Sequence, residues 1–188
     1  MEIFFDGEFY HLYVRGKNRD NLFLEEKDYL RMMAAINHCN KIDSGPLSKA
    51  LRKNDLQNLS QYEETENCYV KINSFVLMPN HFHVMFKGIS PKSAGHFIRR
   101  ILTSYSKYFN AKYLNIGHTF ESKYKFEHVK TQEHFDILVS YIKNNPIKLL
   151  DKNYEHRDLL NGTYKIKPER QIFIDNYPYF WQCPTLTD

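Results

Sequence analysis

The sequence lacks the features that mark secreted and membrane proteins. Its three cysteines, Cys39, Cys68 and Cys183, lie far apart and form no CxxC pair, so they predict no disulfide framework. No run of about 18 apolar residues predicts a membrane span. The opening residues, MEIFFDGEFYHLYV, lack the basic start and long apolar core of a signal peptide. We therefore expect a protein of the reducing cytoplasm with no membrane partner.

Strong charge of one sign is also lacking, and so are repeats and low-complexity tracts. The net charge of +4 and the pI of about 8.8 are compatible with a polyanionic partner but do not demonstrate one. What is present is a hydrophobic content of 42% over 188 residues, which suits one ordinary domain. The 14 tyrosines and 14 phenylalanines suit stacking on bases, but half-buried strands are the commoner reason for them.

Hydrophobic periodicity divides the chain into alternating strands and helices. We predict strands over 8–15, 68–78, 81–87 and 124–130, and helices over 25–41, 91–113 and 132–144. Residues 43–67 are polar and resemble an insertion with a short exposed helix near 46–56. The order β-α-β-β-α-β-α predicts an α+β protein of ferredoxin-like character, with helices packed on an antiparallel sheet. We expect a domain over 1–150 and a C-terminal extension over 151–188 that packs on it.

The segment His81-Phe82-His83 opens one of these predicted strands, directly after the turn at Pro79-Asn80. Because side chains alternate along a strand, both imidazoles should lie on one face, about 6–7 Å apart, and Phe82 on the other. Such a pair can bind a divalent ion. Imidazole suits Mn, Zn, Fe or Ni best, and Mg where phosphate and water complete the shell. We place the pair at a sheet edge. In the alternative, His81 caps the turn and His83 faces solvent.

The last predicted helix contains Tyr141 and, one turn later, Asn145, so both should share a face. The Asn145 amide oxygen then becomes a candidate third metal ligand. Tyr141 becomes a candidate nucleophile toward a metal-bound phosphodiester. In the alternative, Tyr141 is a core aromatic and Asn145 a helix cap. Four further tyrosines compete as nucleophiles, of which the first two look structural because they lie on an apolar stripe: Tyr105, Tyr108, Tyr113 and Tyr124.

Basic side chains that could contact DNA phosphates occur in three places. The best candidate is the loop after the first strand, which contains Arg15, Lys17, Asn18 and Arg19. Other candidates lie on the second long helix and around the strand that follows it: Arg99, Arg100, Lys107, Lys112, Lys123, Lys125 and Lys130. Ordinary solvated charge is the alternative for each, because acidic residues are interspersed.

Four segments in this order resemble the single-tyrosine HUH transposases, and the REP-associated tyrosine transposase-like branch most of all. They are YHLYVRGKNRDNLF, FVLMPNHFHVMF, GHTFESKYKFEHV and YIKNNP, which together extend from about Tyr10 to Leu150. HUH stands for His, a hydrophobic residue and His, matched here by His81-Phe82-His83. The resemblance implies the HUH endonuclease fold, which is RRM-like. It also implies Tyr141 as nucleophile and His81, His83 and Asn145 as ligands of a divalent ion, Mg or Mn.

The resemblance further implies cleavage and joining of single-stranded DNA near hairpins, through a 5′-phosphotyrosine, in the bacterial cytoplasm at the nucleoid. Some relatives are dimers in which the tyrosine helix serves the partner's histidines, and others are self-contained, so a homodimer is one expectation. Three features depart from the family pattern: the 43–67 segment, the chain after Leu150, and Asn145, where some relatives carry Gln. Two alternatives stay open, a hairpin-binding protein without catalysis and a metal-dependent hydrolase that uses water.

Overall fold

The structure, a computed structural model, describes residues 4–90, 92–121 and 124–183. Five strands form one sheet, and helices pack on both of its faces. The elements in chain order are β1 (Phe9–Arg15), α1 (Glu26–Asn40), α2 (Leu47–Ala50), α3 (Leu56–Ser60), β2 (Val70–Met78), β3 (His81–Gly88), α4 (Ser93–Tyr113), β4 (Lys125–Val129), α5 (Gln132–Asn144), α6 (Ile147–Leu150), α7 (His156–Leu160), α8 (Pro168–Asp175) and β5 (Phe180–Gln182). The predicted α+β class and the order of the main elements are confirmed. In the described segments, no helix is both long and apolar enough to cross a membrane.

The sheet has the order β4-β1-β3-β2-β5, and every neighbouring pair is antiparallel. Strands β2 and β3 form the predicted hairpin around Pro79-Asn80. The prediction that the His81/His83 pair lies at a sheet edge is wrong, because β3 is the central strand. The pair is reached from one face of the sheet, near the start of β3, because His81 is the first residue of that strand.

One face of the sheet packs on α1 and α4. Alternate residues of the central strands, such as Leu12, Phe82 and Val84, are fully buried there against apolar side chains of the two helices. The intervening residues point to the opposite face, where Val76 and Met85 pack against α5. Strand alternation therefore assigns the two faces to different helices, and the α5 face receives His81 and His83.

The segment 43–67 is less exposed than its polar sequence predicts. It contains two short helices, α2 and α3, instead of one near 46–56. Leu47 is buried, and Leu56 and Leu59 pack against the core beside α1. The Asn37 amide of α1 also donates hydrogen bonds to the carbonyls of Leu59 and Gln61. A few apolar residues at irregular spacing suffice to attach the segment to α1, and periodicity does not detect them.

The C-terminal residues add an element that the sequence did not predict. Strand β5 pairs with β2 and forms one edge of the sheet, with Phe75 opposite Trp181. Tyr177, just before it, donates a hydrogen bond to the Leu77 carbonyl. At these positions, aromatic residues of the C-terminal segment contact the sheet. The predicted domain boundary near Leu150 stays a prediction.

Candidate active site

His81 and His83 lie on the α5 face of β3, as alternation predicts. Their ring centroids are 5.2 Å apart, and the rings are almost perpendicular. In the register of the sheet, His81 stands opposite Arg15 of β1, and His83 stands opposite Tyr13. The same register brings basic and aromatic side chains of β1 to the histidine pair, which the sequence alone did not reveal.

The side-chain oxygens of two asparagines lie beside the two nitrogens of the His81 imidazole, which in its neutral form donates a hydrogen bond to only one of them. Nδ1 lies 2.7 Å from the Asn80 side-chain oxygen, and Nε2 lies 3.3 Å from the Asn145 side-chain oxygen. Asn145 is the C-cap residue of α5, and its side chain is buried. The predicted approach of Asn145 to the histidines is therefore present in the structure, and the alternative role as a helix cap holds as well. Asn145 Oδ1 and His81 Nε2 therefore place two atoms of metal-ligating type next to each other.

His83 is almost completely buried and is oriented by a third histidine. Its Nδ1 lies 2.8 Å from Nε2 of His11, and the two rings stack with centroids 5.0 Å apart. Its own Nε2 is buried without a hydrogen-bond partner in the described part of the chain. When the His83 Nδ1 donates its hydrogen to His11, Nε2 keeps its lone pair. That tautomer is the one that can bind a metal ion.

Burial keeps these imidazoles uncharged. It lowers the pKa of His81 to about 4, with the Asn145 hydrogen bond opposing that change. It also lowers the pKa of His83 well below its ordinary value, helped by His11 and His81. The pKa of His11 falls to about 4 for the same reason, with His134 contributing. Neutral imidazoles are the form that ligates metals, so no proton has to leave these rings at neutral pH.

Tyr141 of α5 projects toward the histidines and is half-buried. Its ring lies edge-on to His83, with centroids 5.2 Å apart, and 5.4 Å from His156. Burial raises the pKa of Tyr141, and the nearby Asn145 amide offsets part of that rise. The hydroxyl is therefore protonated at neutral pH, so a nucleophilic role requires that its proton be removed.

The competing tyrosines that the sequence offered lie elsewhere. Tyr105 is fully buried and donates a hydrogen bond of 2.6 Å to the Leu22 carbonyl. Tyr108 and Tyr113 both donate to the Asp28 carboxylate. Tyr124 packs against the core on the α1 and α4 face. The structure adds one competitor that the sequence did not predict, because the Tyr13 ring lies beside both His81 and His83, with centroids 5.6 and 4.9 Å away.

These side chains surround a cavity of about 700 Å³ that opens to solvent. It is lined by His11, Tyr13, Arg15, His81, His83, Lys125, Phe126, Glu127, Ile137, Leu138, Tyr141, Lys148 and His156. His11, Tyr13, Lys148 and His156 were not predicted. Alternation in β1 puts His11 and Tyr13 on the face of Arg15, but only the pairing of β1 with β3 joins them to the site.

The basic loop begins at this cavity and extends away from it. Arg15 lines the cavity, and its guanidinium lies over the Tyr13 ring. Lys17, Asn18 and Arg19 are exposed and form a short 3₁₀ turn, in which Asn18 and Arg19 have positive φ. The Lys17 amide is held by the Thr119 carbonyl. The loop thus presents its side chains to solvent from a fixed backbone beside the histidines.

Most of the other predicted DNA contacts lie away from the candidate active site, and Lys125 is the exception. Lys125 lines the active-site cavity. Arg99 and Arg100 lie on α4, which packs on the opposite face of the sheet, and Arg100 donates to Ser44 and to the Tyr69 hydroxyl. Lys112 forms ion pairs with Glu25 and Asp28. Lys123 lies outside the described residues. Of the predicted contacts that the structure describes, the loop and Lys125 therefore adjoin the candidate active site.

The nitrogens of His81 and His83 and the side-chain oxygen of Asn145 are atoms of the types that bind a divalent ion. Among residues 4–90, 92–121 and 124–183, no group of three or more His, Cys, Asp or Glu side chains could hold a metal. The separation of 3.3 Å between His81 Nε2 and Asn145 Oδ1 resembles the roughly 3 Å between adjacent ligands of an octahedral ion. The buried His83 Nε2, which has no hydrogen-bond partner in the part of the chain that the structure describes, would be the third ligand atom. Water or phosphate oxygens would complete such a shell.

Comparison with known proteins identifies the family. A family model described as "Transposase IS200 like" matches residues 47–145, more than half of the chain. The solved structures similar to the chain include one described as "Structure of the REP associates tyrosine transposase bound to a REP hairpin". It is 16% identical, with a TM-score of 0.47, over 88% of this chain and 87% of that one. No curated protein matches the chain. On the strength of the family match, the chain belongs to the IS200-like transposase family.

Proposed function

We propose that the protein cleaves and rejoins single-stranded DNA near hairpins, with Tyr141 as nucleophile and a divalent ion, Mg or Mn, on His81, His83 and Asn145. The observation that carries this proposal is the edge-on contact of Tyr141 with His83, beside the His81 and Asn145 donor pair. A bound ion would neutralise a phosphodiester oxygen and expose the phosphorus to attack. Hairpin DNA as the substrate is what the family resemblance implies.

In the proposed reaction, the Tyr141 oxygen forms a bond to phosphorus as the bond to the 3′ oxygen breaks. The tyrosine proton passes to solvent in the open cavity, and the released 3′ oxygen takes up a proton. The resulting 5′-phosphotyrosine retains the energy of the broken bond, so a second 3′-hydroxyl can be joined without a nucleotide cofactor. Arg15 and the exposed loop over 17–19 would hold neighbouring phosphates.

A denaturing gel tests the nucleophile. The protein is incubated with hairpin-bearing single-stranded DNA and Mn²⁺ or Mg²⁺, and a covalent protein–DNA adduct is sought. Tyr141→Phe should abolish the adduct without loss of folding or DNA binding. Tyr13→Phe is the matched control, because it removes a hydroxyl from the same cavity. An adduct that disappears in Tyr13→Phe and persists in Tyr141→Phe would show that the nucleophile is misassigned.

The same experiment distinguishes the alternatives that the sequence left open. Cleavage that survives Tyr141→Phe would support a hydrolase that uses water. Hairpin binding with steep salt dependence and no product would support a DNA-binding protein without catalysis. Because Tyr141 and the histidines of one chain already adjoin, we propose that the site is self-contained. A homodimer stays a prediction for a sedimentation experiment.

A further inference from the structure

A second cavity, of about 790 Å³, lies between α1, α4 and the segment around α2. Because α1 and α4 pack on the sheet face opposite to α5, this cavity is separated from the candidate active site by the sheet. Its volume lies within the range of about 300–1,000 Å³ that is usual for small-molecule sites. None of the residues proposed for cleavage lines it.

The charged residues that line it are all cationic. Arg31, Arg99, Arg100 and Lys107 all face the cavity, and the residues that line it include no Asp or Glu. None of the four forms an ion pair with a carboxylate in the described segments. A cluster of four cations without counter-charge is a site at which an anion would relieve mutual repulsion.

Arg31 supplies the most specific evidence. It is 5% exposed, and its guanidinium lies over the Tyr108 ring. Nη2 donates to the Ser104 hydroxyl, but Nη1 is buried without a hydrogen-bond partner among the residues that the structure describes. Burial lowers the pKa of Arg31, which reflects the cost of an uncompensated buried charge. An anion in the cavity would supply the counter-charge that this guanidinium lacks.

The remaining wall indicates what accompanies the anion. Arg99, Thr103 and Lys107 follow one another at intervals of four residues along α4, so their side chains share a face beside the cavity. Pro46, Leu47 and Leu51 add apolar side chains to the lining. Cationic and apolar side chains in one cavity suit a ligand with a phosphate and a flat ring system.

We propose that this cavity binds one nucleotide unit, whose phosphate is held by Arg31, Arg99 and Lys107. The unit is either a free mononucleotide or one nucleotide of a DNA strand, and the chemistry of recognition is the same for both. The inference is independent of the proposed cleavage, because it concerns the other face of the sheet.

The test titrates the full-length protein with thymidine monophosphate and, separately, with a short oligothymidylate, by calorimetry. In Arg99→Gln/Lys107→Gln, at least one of these probes should bind about tenfold or more weakly, because charge-assisted hydrogen bonds to phosphate are lost. Lys27→Gln/Lys152→Gln removes the same charge from exposed positions outside the cavity and should change affinity less than about twofold. Arg31→Met should weaken binding further. Because Arg99 and Lys107 are exposed, the Arg99→Gln/Lys107→Gln variant keeps the test valid if Arg31→Met folds poorly.

The two probes separate the sources of the nucleotide. Weakened binding of the monophosphate indicates a free nucleotide, and weakening confined to the oligomer indicates a nucleotide within a strand. The proposal is overturned if neither probe binds, or if both bind the cavity variant as tightly as the wild type. Adduct formation on hairpin DNA reports on the cleavage proposal and calorimetry reports on this one, so a failure of either would not be mistaken for a failure of the other.

Discussion

Replacement of His11 by phenylalanine should weaken divalent-metal binding while the fold is retained. Phenylalanine keeps an aromatic ring that can stack on His83, where the present centroid distance is 5.0 Å, but it has no acceptor for the His83 Nδ1 hydrogen. A buried donor without a partner costs about 1–3 kcal/mol. The imidazole can also move its hydrogen to Nε2, which blocks the lone pair needed by the ion. We expect affinity to fall about tenfold to a hundredfold.

Titration with Mn²⁺, followed through the paramagnetic resonance signal of the free ion, measures this loss directly. His11→Gln should bind more tightly than His11→Phe, because an amide oxygen can accept the same hydrogen bond. His128→Phe is the control, since His128 also stacks on an aromatic ring but lies on β4, outside the candidate active site. Wild-type Mn²⁺ affinity in His11→Phe, with unchanged unfolding by urea, would refute the role given to His11.

Three further predictions concern stability, each measured by urea unfolding. Asp28→Ala should lower the free energy of unfolding by about 1–3 kcal/mol, because it leaves the Leu24 amide and two tyrosine hydroxyls without their buried acceptor, while Lys112 keeps its ion pair with Glu25. Burial raises the pKa of Asp28, but hydrogen bonds led by that from Lys112 outweigh this and leave it below the ordinary value. The contribution of Asp28 to the stability of the wild type should therefore be complete above the ordinary pKa of Asp, and it should be lost as the pH falls through the pKa of Asp28 in the folded protein. A difference in stability between the wild type and Asp28→Ala that does not change with pH would contradict this. Gly16→Ala should cost about 1–3 kcal/mol, since its Cβ would lie 2.2 Å from the Asp20 carbonyl oxygen, whereas Gly95→Ala meets no atom within 4 Å and should not destabilise.

Local patterns in the sequence sufficed to predict much of the candidate site. Strand alternation placed His81 and His83 on one face, and helical spacing placed Asn145 one turn after Tyr141. The structure brings these four side chains together in one region, which local periodicity alone could not guarantee. Their roles as ligands and nucleophile stay predictions until the metal and adduct experiments are done.

The features that escaped prediction depend on long-range pairing. His11 and Tyr13 join the site only because β1 pairs with β3 in one register, and no local pattern specifies a partner strand. The central position of β3 depends on the order of the strands, which the sequence does not state. Strand β5 has three residues, too few for a period to be visible, and it forms because β2 offers a free edge.

The turn between β2 and β3 links the histidine pair to the basic loop, through Asn80. The Asn80 side chain accepts a hydrogen bond from the His81 ring through its oxygen and donates one to the Arg19 carbonyl through its nitrogen. Its backbone carbonyl also receives the amide of Gly16, at the start of the basic loop. One residue therefore fixes both the orientation of His81 and the path of the loop. If the proposed function holds, a substitution at Asn80 would alter DNA recognition by the loop and ion binding at His81 together, so target preference could not be changed at this position without a change in the chemistry.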